Sequence, residues 1–286
     1  MSQHRVAVII PCYNSSKFIR ETIHSVLGQT FGDLEIVAVD DGSSDGTRTI
    51  LESYLPKIRI VSHPSNANLG EGASLNLGIH ATESDLVAFL DADDMWYPDK
   101  VKKQVEIFQK YPDVGLVYTN VHAIDEKGNI LYEFFPQDFR ERNIAGGILL
   151  KCYIGTSSSV MVKREIFEEI GPFKPHLYST DHDMWIRIGE VRKFYYIANF
   201  LTAYRKHEGQ KSLERRMWED GFEILDEACK RYPYGAHLRR RRLGILYYRL
   251  AEHDWRHNDY FQGLKNYLLA GISDPIRALQ VILARE

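Results

Sequence analysis

Short apolar runs alternate with longer amphipathic segments along the first 118 residues. The apolar runs predict strands buried on both faces at 5–10, 34–39, 58–61, 86–90 and 114–118. The segments between them repeat apolar residues at helical spacing, most clearly over 16–27 and 98–110. Strands that alternate with helices in this way predict an α/β fold with a parallel sheet covered on both faces and its loops gathered at one edge.

The pattern changes after residue 118. Residues 125–129 suggest the tip of a hairpin between strands at 121–124 and 130–135, so we expect antiparallel strands in this half. The remaining elements predicted here are helices at 143–151, 165–170 and from 179 or 180, and strands at 157–162, 195–197 and 201–205. From about residue 214 the chain is predicted to be helical, with breaks near Pro233, 257–258 and 273–275.

Three carboxylates follow the apolar run at 86–90. Asp91, Asp93 and Asp94 repel one another unless a cation or solvent relieves them, and hard oxygen ligands suit Mg²⁺ or Mn²⁺. One interpretation is a divalent metal site that holds a phosphorylated ligand. The other is an acidic turn that only begins the next helix.

Other polar residues follow neighbouring strands. Tyr13, Asp41, Asn68 and Asp93 should share one rim, because the carboxyl ends of parallel strands meet at one edge of the sheet. Asp181 falls in the first turn of a predicted helix, where it is either a general base or a capping residue.

The composition narrows the classes of protein that fit. At 286 residues with 44% hydrophobic and 12% aromatic residues, the chain can form a large packed core. A net charge of −3 gives no general reason to bind nucleic acid. Three cysteines at unrelated spacings fit a reducing cytosol. No stretch reaches membrane-spanning length, which predicts a cytoplasmic protein.

The basic run Arg239–Arg242 precedes apolar residues on a predicted helix. Such a helix could lie on the anionic inner face of a membrane and make the protein peripheral, or it could be a solvated face packed on the core.

Phosphate-binding motifs of other folds do not fit. No strand is followed by the Gly-Lys-Ser/Thr ending of a Walker loop, and Leu75 stands where a dinucleotide fingerprint needs its third glycine. The residues after Asp91 also differ from those expected for a dehalogenase-type nucleophile.

The motifs taken together resemble those of family 2 glycosyltransferases over residues 5–212. The resemblance rests on Val8–Asn14, Gln29–Phe31, Val39–Thr47, Asn68–Gly70, Asn76–Ile79 and Phe89–Asp94. It implies a GT-A fold, a nucleotide-activated sugar donor, Mg²⁺ or Mn²⁺, and inversion at the anomeric carbon. UDP-sugar is the favoured donor.

The resemblance also implies roles for single residues. Pro11, Tyr13, Asp41, Asn68 and Asp91 would bind the nucleotide, with the Tyr13 ring on the base and the Asp41 carboxylate on its imide N–H. Asp91 and Asp93 match the DxD signature, in which Asp93 would bind the metal.

On the acceptor side, Asp181 would be the base and His207 would reach the metal or the diphosphate. Further contacts to acceptor or diphosphate are expected from Asp183, Trp185, Arg205 and Lys211. Two positions depart from the family pattern, Thr180 in place of glutamate and Leu75 in place of arginine.

The sequence therefore predicts three parts: a nucleotide-sugar-binding half at 1–100, an acceptor-binding half at 101–213 and a helical extension at 214–286. The expected function is inverting transfer of a sugar to a saccharide or lipid-linked hydroxyl, in cell-surface polysaccharide or glycolipid synthesis. The rival is a non-catalytic subunit of the same fold that binds a nucleotide. A nucleotidyltransferase is disfavoured, because its glycine-rich amino-terminal loop is missing at Pro11–Asn14.

Overall fold

The computed structural model describes residues 4–135, 144–209, 214–277 and 279. The strands are β1 (Val6–Cys12), β2 (Leu34–Asp40), β3 (Arg59–Ser62), β4 (Leu86–Phe89), β5 (Met95–Trp96), β6 (Val114–Ile124), β7 (Ile130–Glu133), β8 (Val160–Lys163) and β9 (Lys193–Arg205). The helices are α1 (Ile19–Leu27), α2 (Thr47–Glu52), α3 (Glu71–His80), α4 (Lys100–Lys110), α5 (Ile144–Leu150), α6 (Glu165–Ile170), α7 (Thr180–Val191), α8 (Arg216–Arg231), α9 (Ala236–Arg256) and α10 (Tyr260–Ser273).

Within these residues the strands form one nine-stranded sheet in the order β3-β2-β1-β4-β8-β6-β9-β5, and β7 pairs with β6. The first four of these strands in the order are parallel. The strand β8 then runs antiparallel to both β4 and β6, whereas β6 and β9 are parallel. The predicted α/β fold, with a parallel first half and a mixed second half, is confirmed.

Both faces of the sheet are buried, as the apolar runs require. In β1, Val6, Val8 and Ile10 face the core beneath α1, α2 and α4, while Ala7 and Ile9 face the core beneath α3 and α7. Burying a strand on both faces removes the need for alternating polar positions. This is why these strands read as continuous apolar runs.

Two long strands differ from the prediction. The segments 114–118 and 121–124 form the single strand β6, and 195–197 and 201–205 form the single strand β9. Polar residues lie within both long strands, and their side chains form hydrogen bonds. The hydroxyls of Thr119 and Thr202 lie 3.0 Å apart, and Asn120 donates to the Phe135 carbonyl at 3.0 Å.

The carboxyl-terminal helices pack on the same core. Ile224 and Leu225 of α8 and Leu246 of α9 are buried in the cluster that also contains β4 and α7. Among the described residues, no helix combines the length and apolarity needed to cross a bilayer.

Candidate active site

The carboxyl ends of β1 to β4 form a rim, as the sequence predicts. Cys12 at the end of β1 is in register with Asp40 at the end of β2, and Asp40 is in register with Ser62 at the end of β3. The residues after these ends are therefore brought together, because parallel strands in register finish at the same level. Tyr13, Asp41, Asn68 and Asp93 all lie in segments that leave this edge.

Asp41 fixes the loop that carries Asn68. Its two carboxylate oxygens accept hydrogen bonds from the backbone N–H groups of Leu69, at 2.8 Å, and Gly70, at 2.9 Å. Gly42 adopts a positive φ of 76°, and a Cβ there would lie 2.6 Å from the Asn66 carbonyl oxygen, so only glycine fits. Asp41 is 4% exposed, so these two hydrogen bonds hold a nearly buried carboxylate.

Tyr13 projects from the rim with 53% of its surface exposed. Next to it, Asn14 adopts a positive φ of 48°, and its side-chain oxygen accepts from the Ser44 N–H at 2.8 Å. This contact ties the loop after β1 to the loop after β2. The Tyr13 ring therefore stands at a fixed place on the rim with a free face.

The acidic turn after β4 is held from three sides. The buried Asp94 carboxylate accepts from the Arg205 N–H at 2.9 Å and from the Thr156 hydroxyl at 3.2 Å. The Thr22 hydroxyl of α1 lies within 3.0 Å of the carbonyls of Ala92 and Asp94. Asp94 thus shapes the turn, whereas Asp91 and Asp93 stay partly exposed.

Negative charge is concentrated beside this turn. Burial raises the pKa of Asp91 well above its ordinary value, and Glu71, Asp94, Asp93 and Asp181 raise it further by repulsion. Burial and the charge of Asp93 likewise raise the pKa of Asp94. These interactions place Glu71 of α3 and Asp181 of α7 within electrostatic range of the acidic turn. The cleft therefore favours cations.

Asp93 and His207 lie side by side. The His207 Nε2 atom is 2.8 Å from the Asp93 Oδ2 atom, and the imidazole packs on the Phe18 ring with centroids 5.4 Å apart. A carboxylate oxygen beside an imidazole nitrogen is a donor pair that suits Mn²⁺ and, through the oxygen, Mg²⁺. No three His, Cys, Asp or Glu side chains converge on a complete metal site in the part of the chain that is described. Such a pair suits a cation that takes its other ligands from phosphate and water.

Arg205 is fully buried, so the prediction that it contacts the diphosphate is wrong. Its guanidinium lies over the Phe18 ring at 4.6 Å and donates to the carbonyls of Asp93 and Glu126, each at 2.8 Å. It also pairs with Glu21 at 2.7 Å. Arg205 therefore positions the acidic turn after β4 from its buried side.

Asp181 lies in the first turn of α7, close enough to the acidic turn for its charge to raise the pKa of Asp91. Its Oδ1 atom accepts from the neighbouring His182 N–H at 2.7 Å, and the residue is partly exposed. The start of α7 packs closely on the start of α3. A Cβ at Gly72 would lie 3.0 Å from both the Lys174 carbonyl and the Thr180 hydroxyl.

Asp183 and Trp185 are buried, so the acceptor or diphosphate contacts predicted for them are wrong. Asp183 forms ion pairs with Lys174 at 2.9 Å and with Arg187 at 2.8 Å. Trp185 packs in the core between Phe89 and Phe173. Lys211 lies outside the described residues.

Comparison with known proteins places this chain in a family. The sequence pattern of Glycosyl transferase family 2 matches residues 7–171, more than half of the chain. The chain belongs to this family.

A similar relative is an uncharacterized glycosyltransferase of Rickettsia felis, 35% identical over 72% of this chain. The chain spans about 35% of the length of that relative.

Two solved structures share the fold. S. aureus TarS 1–349, in complex with UDP-GlcNAc, has a TM-score of 0.65 at 18% identity and covers 96% of this chain and 91% of its own. The mannosyltransferase PcManGT from Pyrobaculum calidifontis, in complex with GDP-Man and Mn²⁺, has a TM-score of 0.65 at 18% identity. The match covers 100% of this chain and 81% of PcManGT. The GT-A fold expected from the sequence is confirmed.

The structure places two further titratable residues, Glu71 and His63, near the candidate site, and the sequence did not predict either of them. Glu71 acts on Asp91 through its charge, and His63 Nε2 lies 3.6 Å from the Asp41 Oδ1 atom. His63 follows β3 directly and could have been placed on the rim from that position alone. Leu75 is buried in the core, in agreement with the loss of a cation at this position.

Proposed function

We propose that this family 2 glycosyltransferase binds a nucleotide-diphosphate sugar on the rim and transfers the sugar, with inversion, to a hydroxyl acceptor. The observation that carries the proposal is the Asp93–His207 pair, 2.8 Å apart, at the acidic turn whose Asp91 also feels the charge of Asp181. One nucleotide-diphosphate sugar could then place its nucleotide on the rim, its diphosphate beside Asp93 and His207, and its sugar near Asp181, the proposed general base.

The nucleotide end is formed by Pro11, Tyr13, Asp41 and Asn68. The exposed Tyr13 ring suits stacking on a base, and the Asp41 carboxylate would accept an imide N–H in addition to its two backbone hydrogen bonds. Uracil and thymine carry an imide whereas guanine does not, and the resemblance to family 2 favours a UDP-sugar between the first two. Neighbours of the same fold have been solved with UDP-GlcNAc and with GDP-Man.

Asp93 and His207 would hold Mg²⁺ or Mn²⁺, and Asp91 would bind the ribose or the sugar. A divalent cation at this place supplies electrostatic stabilisation to the diphosphate leaving group. The surrounding carboxylates raise the affinity for a cation and oppose the binding of a bare diphosphate. We therefore expect donor binding to require the cation.

Asp181 would take the proton of the acceptor hydroxyl. The acceptor oxygen forms a bond to the anomeric carbon while the bond from that carbon to the diphosphate breaks on the opposite face. Inversion follows from this single displacement. The acceptor would be a saccharide or a lipid-linked sugar, in the synthesis of a cell-surface polysaccharide or glycolipid.

The rival, a non-catalytic nucleotide-binding subunit, would not need a carboxylate on the acceptor side. The two are separated by nucleotide release from UDP-, GDP- and TDP-sugars with Mn²⁺, measured for the wild type and Asp181→Asn. Loss of a general base typically lowers the rate by about 10²–10⁴-fold, while donor affinity should persist. The matched control is Asp226→Asn on the exposed side of α8. Turnover by Asp181→Asn within a few-fold of the wild type would remove Asp181 from the mechanism.

A further inference from the structure

The helix α10 carries an apolar stripe that faces solvent. Phe261 is 83% exposed and Ile272 is 72% exposed, and Leu264 and Leu268 lie between them at helical spacing. Ile276 and Leu279 extend the exposed apolar surface beyond α10. Scattered exposed leucines are ordinary, but a continuous apolar stripe on one helix indicates a surface that binds a membrane or another protein.

The opposite face of α10 fixes the direction of the stripe. Asn266 is buried and donates to the Asp254 carboxylate of α9 at 2.7 Å. Gly263 lies against Trp255, and Gly244 of α9 lies against Asp274. These residues face α9, so the helical period turns Leu264, Leu268 and Ile272 away from the protein.

Positive charge is concentrated in the same two helices. Residues 236–279 carry eight Lys and Arg against four Asp and Glu, a net charge of +4 in a chain whose total is −3. Lys265 is exposed beside the stripe, and Arg240 and Arg241 are exposed one turn before Gly244. Since Gly244 touches Asp274, these two arginines lie near the carboxyl-terminal end of the stripe.

The structure assigns the exposed apolar surface to a different helix from the one that the sequence suggested. Arg242 is buried and donates to the Leu150 carbonyl at 2.8 Å, and Leu246 and Leu250 of α9 are buried. The apolar side of α9 therefore packs on the protein, which supports the second of the two interpretations given for the Arg239–Arg242 helix, a solvated face packed on the core. The exposed apolar side belongs to α10.

We propose that the α10 stripe, formed by Phe261, Leu264, Leu268 and Ile272, docks in the interface of an anionic lipid bilayer. An in-plane helix buries its apolar face at the boundary of headgroups and acyl chains, and neighbouring cations bind anionic headgroups. Lys265, Arg240 and Arg241 supply those cations. A second copy of this chain fits less well, because a two-fold contact through the stripe brings like charges from both copies together.

The test is sedimentation of the full chain with vesicles. This measurement needs no sugar donor, so its result is independent of the proposed reaction. We expect binding to phosphatidylcholine vesicles that contain about 30% phosphatidylglycerol, weaker binding to pure phosphatidylcholine, and weaker binding at high salt. Binding that is equal on both vesicle types would overturn the proposal.

A matched pair of variants tests the stripe itself. Leu264 and Leu55 are each 55% exposed, but Leu55 lies far along the chain in the turn after α2. Leu264→Glu should lower the bound fraction about tenfold, since it removes apolar area and adds an anion, and Leu55→Glu should leave it unchanged. Arg240→Glu with Arg241→Glu should lower binding and flatten its salt dependence.

Light scattering without lipid tests the rival occupant, and circular dichroism checks that each variant is folded. A dimer in the wild type that Leu264→Glu abolishes would assign the stripe to a second copy and overturn the proposal. Equal losses for Leu264→Glu and Leu55→Glu would also contradict it.

Discussion

At the scale of single residues, the first turn of α7 shows how far a motif determines a role. Asp181 and Asp183 are two positions apart, so they point to different sides of the helix. Asp181 is partly exposed and its charge acts on Asp91, whereas Asp183 is buried against Lys174 and Arg187. The sequence indicates that a carboxylate lies in this turn. Which carboxylate is solvated depends on the packing of a neighbouring loop that has no periodicity of its own.

Arg205 shows a similar limit. Its position close to His207 suggested a ligand contact, but its partners are carbonyls of Asp93 and Glu126 and the carboxylate of Glu21. These partners come from three separate segments. Only the folded chain shows that they meet around one guanidinium.

This role for Arg205 predicts the effect of Arg205→Lys. The lysine keeps the charge but loses the planar fork, so at least one partly buried carbonyl loses its donor. We expect a loss of about 1–3 kcal/mol in the free energy of unfolding, measured with urea, and a higher donor KM. Arg256→Lys, at an exposed position, is the control. Unchanged donor KM in a destabilised Arg205→Lys would mean that the turn does not depend on it.

His182 predicts a loss of stability in acid. Burial lowers its pKa from 6.5 to about 3, and its Nε2 atom donates to the Ile148 carbonyl at 2.7 Å. Below pH 6.5 the His182 imidazole binds a proton in the unfolded chain but stays neutral in the folded chain. The stabilisation is therefore complete above pH 6.5 and is lost as the pH falls towards 3.

The contribution of this one group is about 1.4 kcal/mol per pH unit in that window. Urea unfolding at pH values between about 6 and 4 should give a steeper loss of stability for the wild type than for His182→Gln, with the two slopes differing by about this amount. Equal slopes for the two proteins would show that His182 titrates normally in the fold.

At the scale of elements, most strands and helices could be predicted because their signals are local. Apolar runs in β1, β2 and β4 and helical spacing in α1 and α4 needed no tertiary information. The lengths of β6 and β9 could not be predicted in this way. Their polar residues are tolerated because Thr119 pairs with Thr202 across the two strands, a contact 83 residues apart.

The contact between α3 and α7 predicts the effect of Gly72→Ala. A Cβ there would lie 3.0 Å from the Lys174 carbonyl and the Thr180 hydroxyl and 3.1 Å from the Cα of Pro175, so the backbone before Asp181 must shift. Since misplacement by about 1 Å can cost about 10²-fold, we expect kcat to fall about tenfold or more. Gly235→Ala, which meets nothing within 4 Å, should leave kcat unchanged.

Steady-state kinetics and thermal unfolding of the two variants separate a shift of the base from general damage. Alanine favours helix over glycine by about 1 kcal/mol, which partly offsets the close contact in α3. A normal kcat in Gly72→Ala would show that the spacing of α3 and α7 does not position Asp181.

At the scale of the whole molecule, charge and apolar surface are unevenly distributed. The cleft on the rim is surrounded by carboxylates, while α9 and α10 carry net positive charge and the exposed stripe. Both helices are amphipathic in sequence, so their patterns alone could not show that α9 is covered and α10 is not. Such a molecule would bind a cation-loaded donor at one place and an anionic surface at another.

The binding of a nucleoside diphosphate tests the central claim most directly, namely that the rim and the Asp93–His207 pair form a metal-dependent donor site. Calorimetric titration with UDP should show affinity at least about tenfold higher with Mn²⁺ than with a chelator. Asp93→Asn keeps the backbone carbonyl that accepts from Arg205 but loses the charged ligand, so the gain from Mn²⁺ should disappear, while Asp226→Asn should keep it. Full enhancement by Mn²⁺ in Asp93→Asn would contradict the assignment of this site.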